Sequence, residues 1–192
     1  MKKDVNYIVS GLERSGTSLM MQILEAGGLP VAYDDSRKAD KNNPKGYYEL
    51  ENGKIIDKLR DEEFQIKKYK GKFIKITAYG LQFLPKGNYD IIYMIRNIGE
   101  IVESTTKMTE NKSTCDKEEL RMALVFFEKH MLDELKKKES KNFRFIPMFY
   151  NALMNESSKE AELGILKMRY PEFDVEKAKQ VIDKKLYRNR SV

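Results

Sequence analysis

Apolar residues recur along this chain with two periods. Short apolar runs bounded by Gly, Pro or Asn read as strands, and longer stretches with apolar residues three to four apart read as amphipathic helices. Tyr7, Ile8 and Val9 form the first run, which ends at Ser10-Gly11. Beyond a glycine-bounded loop, Leu19/Met20, Ile23/Leu24 and Gly27 keep helical spacing, and Gly27-Gly28 ends that helix. Residues 29–33 predict a second short strand, and Asn43-Pro44-Lys45-Gly46 has the signature of a type I turn. A helix is predicted over 51–63, with Ile55, Ile56 and Leu59 facing inward. Strands follow over 73–77 and 89–95, the second apolar on both faces as a central parallel strand should be.

The 98–108 segment predicts a helix with Ile98, Ile101, Val102, Thr105 and Met108 inward. The longest helix is expected over 117–138, where Leu120, Leu124, Phe127, Met131 and Leu135 form one stripe and Asp116 with Glu119 resembles a capping box. Residues 144–149 read as a last strand, placed at a sheet edge or strand end by Pro147. Two more helices are expected over 156–168 and 174–184, the latter capped by Asp174. Strands alternating with helices predict the α/β class: a three-layer α/β/α arrangement with a central parallel sheet, in a single domain over residues 1–192.

Composition narrows the function classes. No apolar run approaches the ~20 residues of a membrane span, and Met1-Lys2-Lys3-Asp4 leads straight into the first strand without an apolar signal region. The one cysteine, Cys115, permits no internal disulfide, so a cytoplasmic location without a membrane partner is the expectation. The net charge of +6 is spread over scattered lysines, including runs at 67–72 and 136–138. These read as solvated faces, with a lesser role in attracting an anionic small substrate; a nucleic-acid partner is not favoured. The chain has no zinc-ligand spacing, and no metal is expected.

The chemistry concentrates at two predicted strand ends, where open parallel sheets bind ligands. The first is the loop from Gly11 to Ser18. Gly11 and Gly16 followed by Thr17-Ser18 keep the spacing of the phosphate loop GxxxxGK[ST], with Thr17 in place of the lysine. Loop amides and the helix N-terminus there suit an anion. In triphosphate enzymes the lysine reaches the phosphates and the next hydroxyl binds Mg²⁺. Without it, Arg14 inside the loop is the candidate cation. The second strand end is Arg96-Asn97, with Ser104 eight residues on. Arg96 suits either a bidentate phosphate contact or a salt-bridged strand terminus, and Ser104 taken alone reads as a helix-surface serine.

Together these residues resemble the sulfotransferase family. Arg14-Ser15-Gly16-Thr17-Ser18 is similar to the family's [KR]-S-G-T-[ST] loop. The 96–104 segment is similar to its R-[ND]-P-x-[DE]-x-x-x-S signature, with Ile98 where the family has proline. Residues 43–49 look like its N-P-x-G-[YF]-x-E segment. The resemblance implies a P-loop nucleotide-binding fold and a donor cosubstrate, 3′-phosphoadenosine 5′-phosphosulfate, used without Mg²⁺. Arg14, Ser15, Gly16, Thr17 and Ser18 would hold its 5′-phosphosulfate, with Arg14 stabilising the bridging oxygen. Arg96 and Ser104 would hold the 3′-phosphate. Arg188 and Arg190 in the tail either close over that phosphate or form a frayed basic end. For the base that takes the acceptor's proton, Glu49 comes first and Asp34 and Asp35 next, while the single histidine, His130, reads as structural. Tyr47 and Tyr48 are candidate walls of the acceptor site. The alternatives are a nucleotide-binding module without sulfotransferase activity, or a kinase. The acceptor is not legible. The chain is short for the family, which leaves open a shallow acceptor site or one completed by a second subunit in a homodimer.

Overall fold

A parallel strand covered on both sides must be apolar at consecutive positions, and Asn6–Gly11 (β1) and Gly87–Ile95 (β3) meet that requirement. The computed structural model describes residues 1–2, 4–34, 37–40, 43–109, 116–136 and 141–187. In it, β1 and β3 are the central pair of a four-stranded parallel sheet ordered β2-β1-β3-β4, where β2 is Phe73–Lys75 and β4 is Lys141–Phe149. Ile8 pairs in register with Ile74 and Ile91, and Ile91 with Phe145.

Side chains leave the pleat alternately and build two cores. Tyr7, Val9, Phe73, Ile92, Met94, Ile146 and Met148 pack on one face. They meet Thr17–Ala26 (α1), Tyr150–Met154 (α5), Glu156–Arg169 (α6) and Val175–Gln180 (α7). Ile8, Ile74, Ile91 and Tyr93 pack on the other face, against Ile55–Arg60 (α2), Ile98–Met108 (α3) and Lys117–Lys136 (α4). This is the three-layer α/β/α arrangement the pattern predicts, compatible with a P-loop-like fold. Polar side chains set several starts. Asn97 accepts from the Glu100 amide at α3, Asp174 from the Lys177 amide at α7, and Asp116 from the Glu118 amide at 2.9 Å at α4. β4 pairs only with β3 in the strand order, so Pro147 sits on an edge strand as expected.

Three expectations need correction, and one element is additional. Residues 29–33 form no strand, only an isolated bridge between Val31 and Phe73. Pro30 has no N–H to give, and beyond Ala32 the Asp34 amide turns to the Glu49 carbonyl at 2.8 Å. The 51–63 helix shrinks to α2 behind a short 3-10 turn, Glu51–Gly53, because Glu51, Asn52 and Gly53 all take left-handed backbone. The 174–184 helix stops at Gln180, and Asp183 caps a separate turn at Lys184–Leu186. α5 was not expected: it follows β4 without a linker and spans 5 residues, too few to show a period. The Leu135 side chain, Asp35, Cys115, Arg188 and Arg190 lie outside the described residues.

Candidate functional site

β1 delivers the phosphate loop at its carboxyl end. Gly11 has φ +143°, and a Cβ there would lie 2.6 Å from the Met94 carbonyl oxygen, so only glycine lets the loop leave so close to β3. Gly16, at φ +102°, precedes α1, and a Cβ on it would meet the Tyr150 ring at 2.4 Å. Arg14 itself holds φ +67°, a left-handed backbone uncommon for a non-glycine residue. Thr17 and Ser18 open α1, where the first amides have no partner within the helix. The Ser15 hydroxyl is buried in the loop without a hydrogen-bond partner among the described residues. It lies on the Gly11 side of the loop, and Ser15, singled out from sequence, does not line the cleft.

Around the loop lies a cleft of about 280 Å³. Arg14, Gly16, Thr17, Ser18, Glu49, Arg96 and Ser104, all singled out from sequence, line it together. Its cationic side chains are Arg14, Arg37, Lys75, Arg96 and Lys107, against the acids Glu13, Glu49 and Asp183. That excess of positive charge suits an anionic ligand.

At one end, Arg96 emerges from β3 with its side chain 7% exposed. It pairs with Glu100 at 3.0 Å, donates to the Arg14 carbonyl at 2.9 Å and stacks 4.3 Å above the Tyr150 ring. Arg14 Nε in turn donates to Ser104 Oγ at 3.0 Å. The sequence suggested a loop on one side and an Arg96/Ser104 pair standing apart. The structure joins them into one network, and Ser104 is a buried residue rather than a helix-surface one. Burial, with neighbouring Arg96 adding to it, pushes the Arg14 guanidinium down from its ordinary value. A desolvated guanidinium remains charged and gains from an anion.

At the other end stands Lys75, the last residue of β2, 5% exposed. Its ammonium donates to Ser18 Oγ at 3.2 Å, to Glu49 at 3.0 Å and to the Tyr47 carbonyl. Burial lowers its proton affinity, and Glu49 partly restores it. Glu49 also accepts from Arg37 at 3.0 Å, so both its oxygens face cations. Ser18 Oγ donates to the Tyr47 carbonyl at 3.1 Å, which ties α1 to the 43–49 segment.

Sequence reasoning passed over Lys75, although it had a signal. Phe73-Ile74-Lys75-Ile76 sets a lysine in an apolar strand at its carboxyl end, the logic that had picked out Arg96. Other expectations fall away from the cleft. Asp34 accepts from the Glu51 amide at 2.6 Å and serves the turn there. The Tyr48 hydroxyl donates to Glu25 at 2.7 Å and its ring packs on Tyr33, so Tyr48 is not a cleft wall, whereas Tyr47 is. His130 is exposed and lies parallel to Phe126, outside the cleft lining and outside the core. No helix among the described residues is long and apolar enough to cross a membrane.

No protein-family model and no curated protein matches the chain. Among solved structures it is similar to the crystal structure of an unliganded sugar kinase from Janibacter sp. HTCC2649, at 11% identity and a TM-score of 0.39, over 95% of this chain and 99% of that chain. A likeness that distant does not bear on chemistry, so function is argued from the cleft.

Proposed function

We propose that the protein is a sulfotransferase that moves a sulfuryl group from 3′-phosphoadenosine 5′-phosphosulfate to an acceptor hydroxyl or amine. One observation carries the reading: the Lys75 ammonium lies on the Ser18 hydroxyl. In a GxxxxGK[ST] loop that hydroxyl binds Mg²⁺. Here a fixed cation from the neighbouring strand stands beside it, while the loop's own lysine position is Thr17. Positive charge comes from side chains, an arrangement suited to a phosphosulfate rather than to a metal-bound triphosphate. The Arg14 guanidinium adds donors on the same loop.

In this reading the donor supplies the sulfuryl group and leaves as the bisphosphate. The acceptor oxygen or nitrogen bonds to sulfur as the S–O bond to the 5′-phosphate breaks, and Arg14 and Lys75 stabilise the charge left on that phosphate. Arg96 anchors the opposite end of the cleft. The acceptor's proton passes to a carboxylate, for which Glu49 is positioned once the exposed Arg37 swings away.

The test is the melting temperature of the full chain with adenosine 3′,5′-bisphosphate in the presence of a chelator. Binding at 100 times Kd adds about 2.7 kcal/mol of stability, a rise of several degrees. No rise at millimolar ligand contradicts the proposal, and a rise seen only with ATP and Mg²⁺ favours the kinase alternative. Where turnover is measurable, Glu49→Gln lowers it by about 100-fold or more while bisphosphate affinity changes less than about tenfold.

A further inference from the structure

α4 is apolar on two sides. Its inner side is accounted for. Met131 is buried, Leu124, Phe127 and Leu132 pack on the core beneath, and the Tyr93 hydroxyl from β3 donates to Glu128 at 2.9 Å. Its outer side carries Met122, Val125 and Phe126, which are 67%, 50% and 72% exposed. These residues occupy adjacent turns of one face, and the His130 ring lies parallel to Phe126 at 6.0 Å. Large apolar side chains grouped in water on a regular helix mark an interaction surface.

The charges around this patch say what covers it. Glu118 and Glu119 lie on the same outer face toward the helix N-terminus, where Glu118 also pairs with Arg121 at 3.4 Å, and Lys129, His130 and Asp133 lie toward its C-terminus; all are exposed. A two-fold axis near residue 124 with the helices antiparallel sets Met122 against Phe126 of a second copy. The same axis sets Glu118 beside Lys129 on one flank of the seam and Glu119 beside His130 on the other. A parallel arrangement would instead set Glu118 level with Glu118 and Lys129 level with Lys129. Self-complementarity under a two-fold is what an isologous dimer requires. We propose that the outer face of α4 is the interface of a homodimer, in which two copies pair α4 antiparallel about Met122 and Phe126. With one helix per copy the buried area is below that of a standard interface, so association is weak, in the micromolar range.

The test is sedimentation equilibrium of the full chain from low micromolar to sub-millimolar concentration. The mass is expected to rise from 22.5 kDa toward twice that value. Phe126→Lys raises the concentration of half-association by about tenfold or more without changing the melting temperature of the dilute protein, because Phe126 touches no core. Glu118→Lys and Lys129→Glu each weaken the dimer, and the double variant restores it, which only the antiparallel register predicts. A protein that stays monomeric throughout, a dimer indifferent to Phe126→Lys, or a charge swap that does not restore association overturns the proposal.

Discussion

Arg96 and Lys75 are both buried cations at strand ends beside the same loop, yet they are held with different rigidity. Arg96 pairs with a carboxylate that is itself clamped: Glu100 accepts from Asn151 at 3.0 Å and from Tyr187 at 2.6 Å. Its guanidinium also rests on Tyr150, which packs against Gly16. Lys75 pairs with Glu49, whose other cation is Arg37, 46% exposed. One end of the cleft is thus an anchor locked from three sides. The other can free one oxygen of Glu49 by moving one surface side chain, while Lys75 keeps the second. The proposed transfer needs both, a fixed point for the part of the donor that does not react and a looser place where a proton changes hands.

Lys75→Ala breaks this comparison with the largest expected effect. It removes the cation on Ser18 and leaves Glu49 facing Arg37 alone, so bisphosphate affinity measured by calorimetry falls about 100-fold, near 3 kcal/mol. An unchanged affinity would mean that Lys75 is only a structural counter-ion to Glu49. At the anchored end, Arg96→Ala costs about 30-fold, close to 2 kcal/mol, and Arg96→Lys does not recover it, because an ammonium cannot serve Glu100, the Arg14 carbonyl and the Tyr150 face together. Full recovery by lysine would show that Arg96 acts as a point charge. Ser104→Ala is milder. It takes from Arg14 Nε one hydrogen bond to an uncharged acceptor, and affinity drops about fivefold, near 1 kcal/mol.

Glu128 sharpens the contrast by being a half-buried carboxylate whose partner is a phenol, Tyr93. Burial pushes its carboxyl above the ordinary value, and the Tyr93 hydrogen bond partly opposes this. A carboxyl raised in the fold holds its proton more tightly folded than unfolded. The stability this gives is full below the ordinary carboxyl range, about pH 4, and is lost as pH rises through the raised value. Glu128→Gln therefore raises the melting temperature by a few degrees at neutral pH, and the gain shrinks toward zero as the pH falls to about 4. A gain independent of pH would show that Glu128 does not titrate.

The same comparison explains what the sequence revealed. Arg96 was legible because part of its setting is local, an apolar strand, a capping Asn97 and Glu100 one helical turn away, although its contacts with Arg14 and Tyr150 are not. Lys75 was not, because its partners Tyr47, Glu49 and Ser18 lie 28, 26 and 57 residues away and meet it only when β2 takes its place beside β1. The loop itself was readable from two glycines at fixed spacing, but its link through Arg14 to Ser104 spans 90 residues and no local pattern encodes it. The central strands and α3 follow from periodicity, whereas the 29–33 and 51–63 expectations failed where Pro30 and three consecutive left-handed residues override the apolar pattern.

A crystal of the full chain soaked with adenosine 3′,5′-bisphosphate tests the central claim most directly. The account predicts the 5′-phosphate seated on the 11–18 loop, with Lys75 Nζ and the Arg14 guanidinium within hydrogen-bond distance, the 3′-phosphate at Arg96, and no metal at Ser18. A nucleotide bound with Mg²⁺ on the Ser18 hydroxyl and Lys75 displaced, or one bound away from the loop, would contradict it.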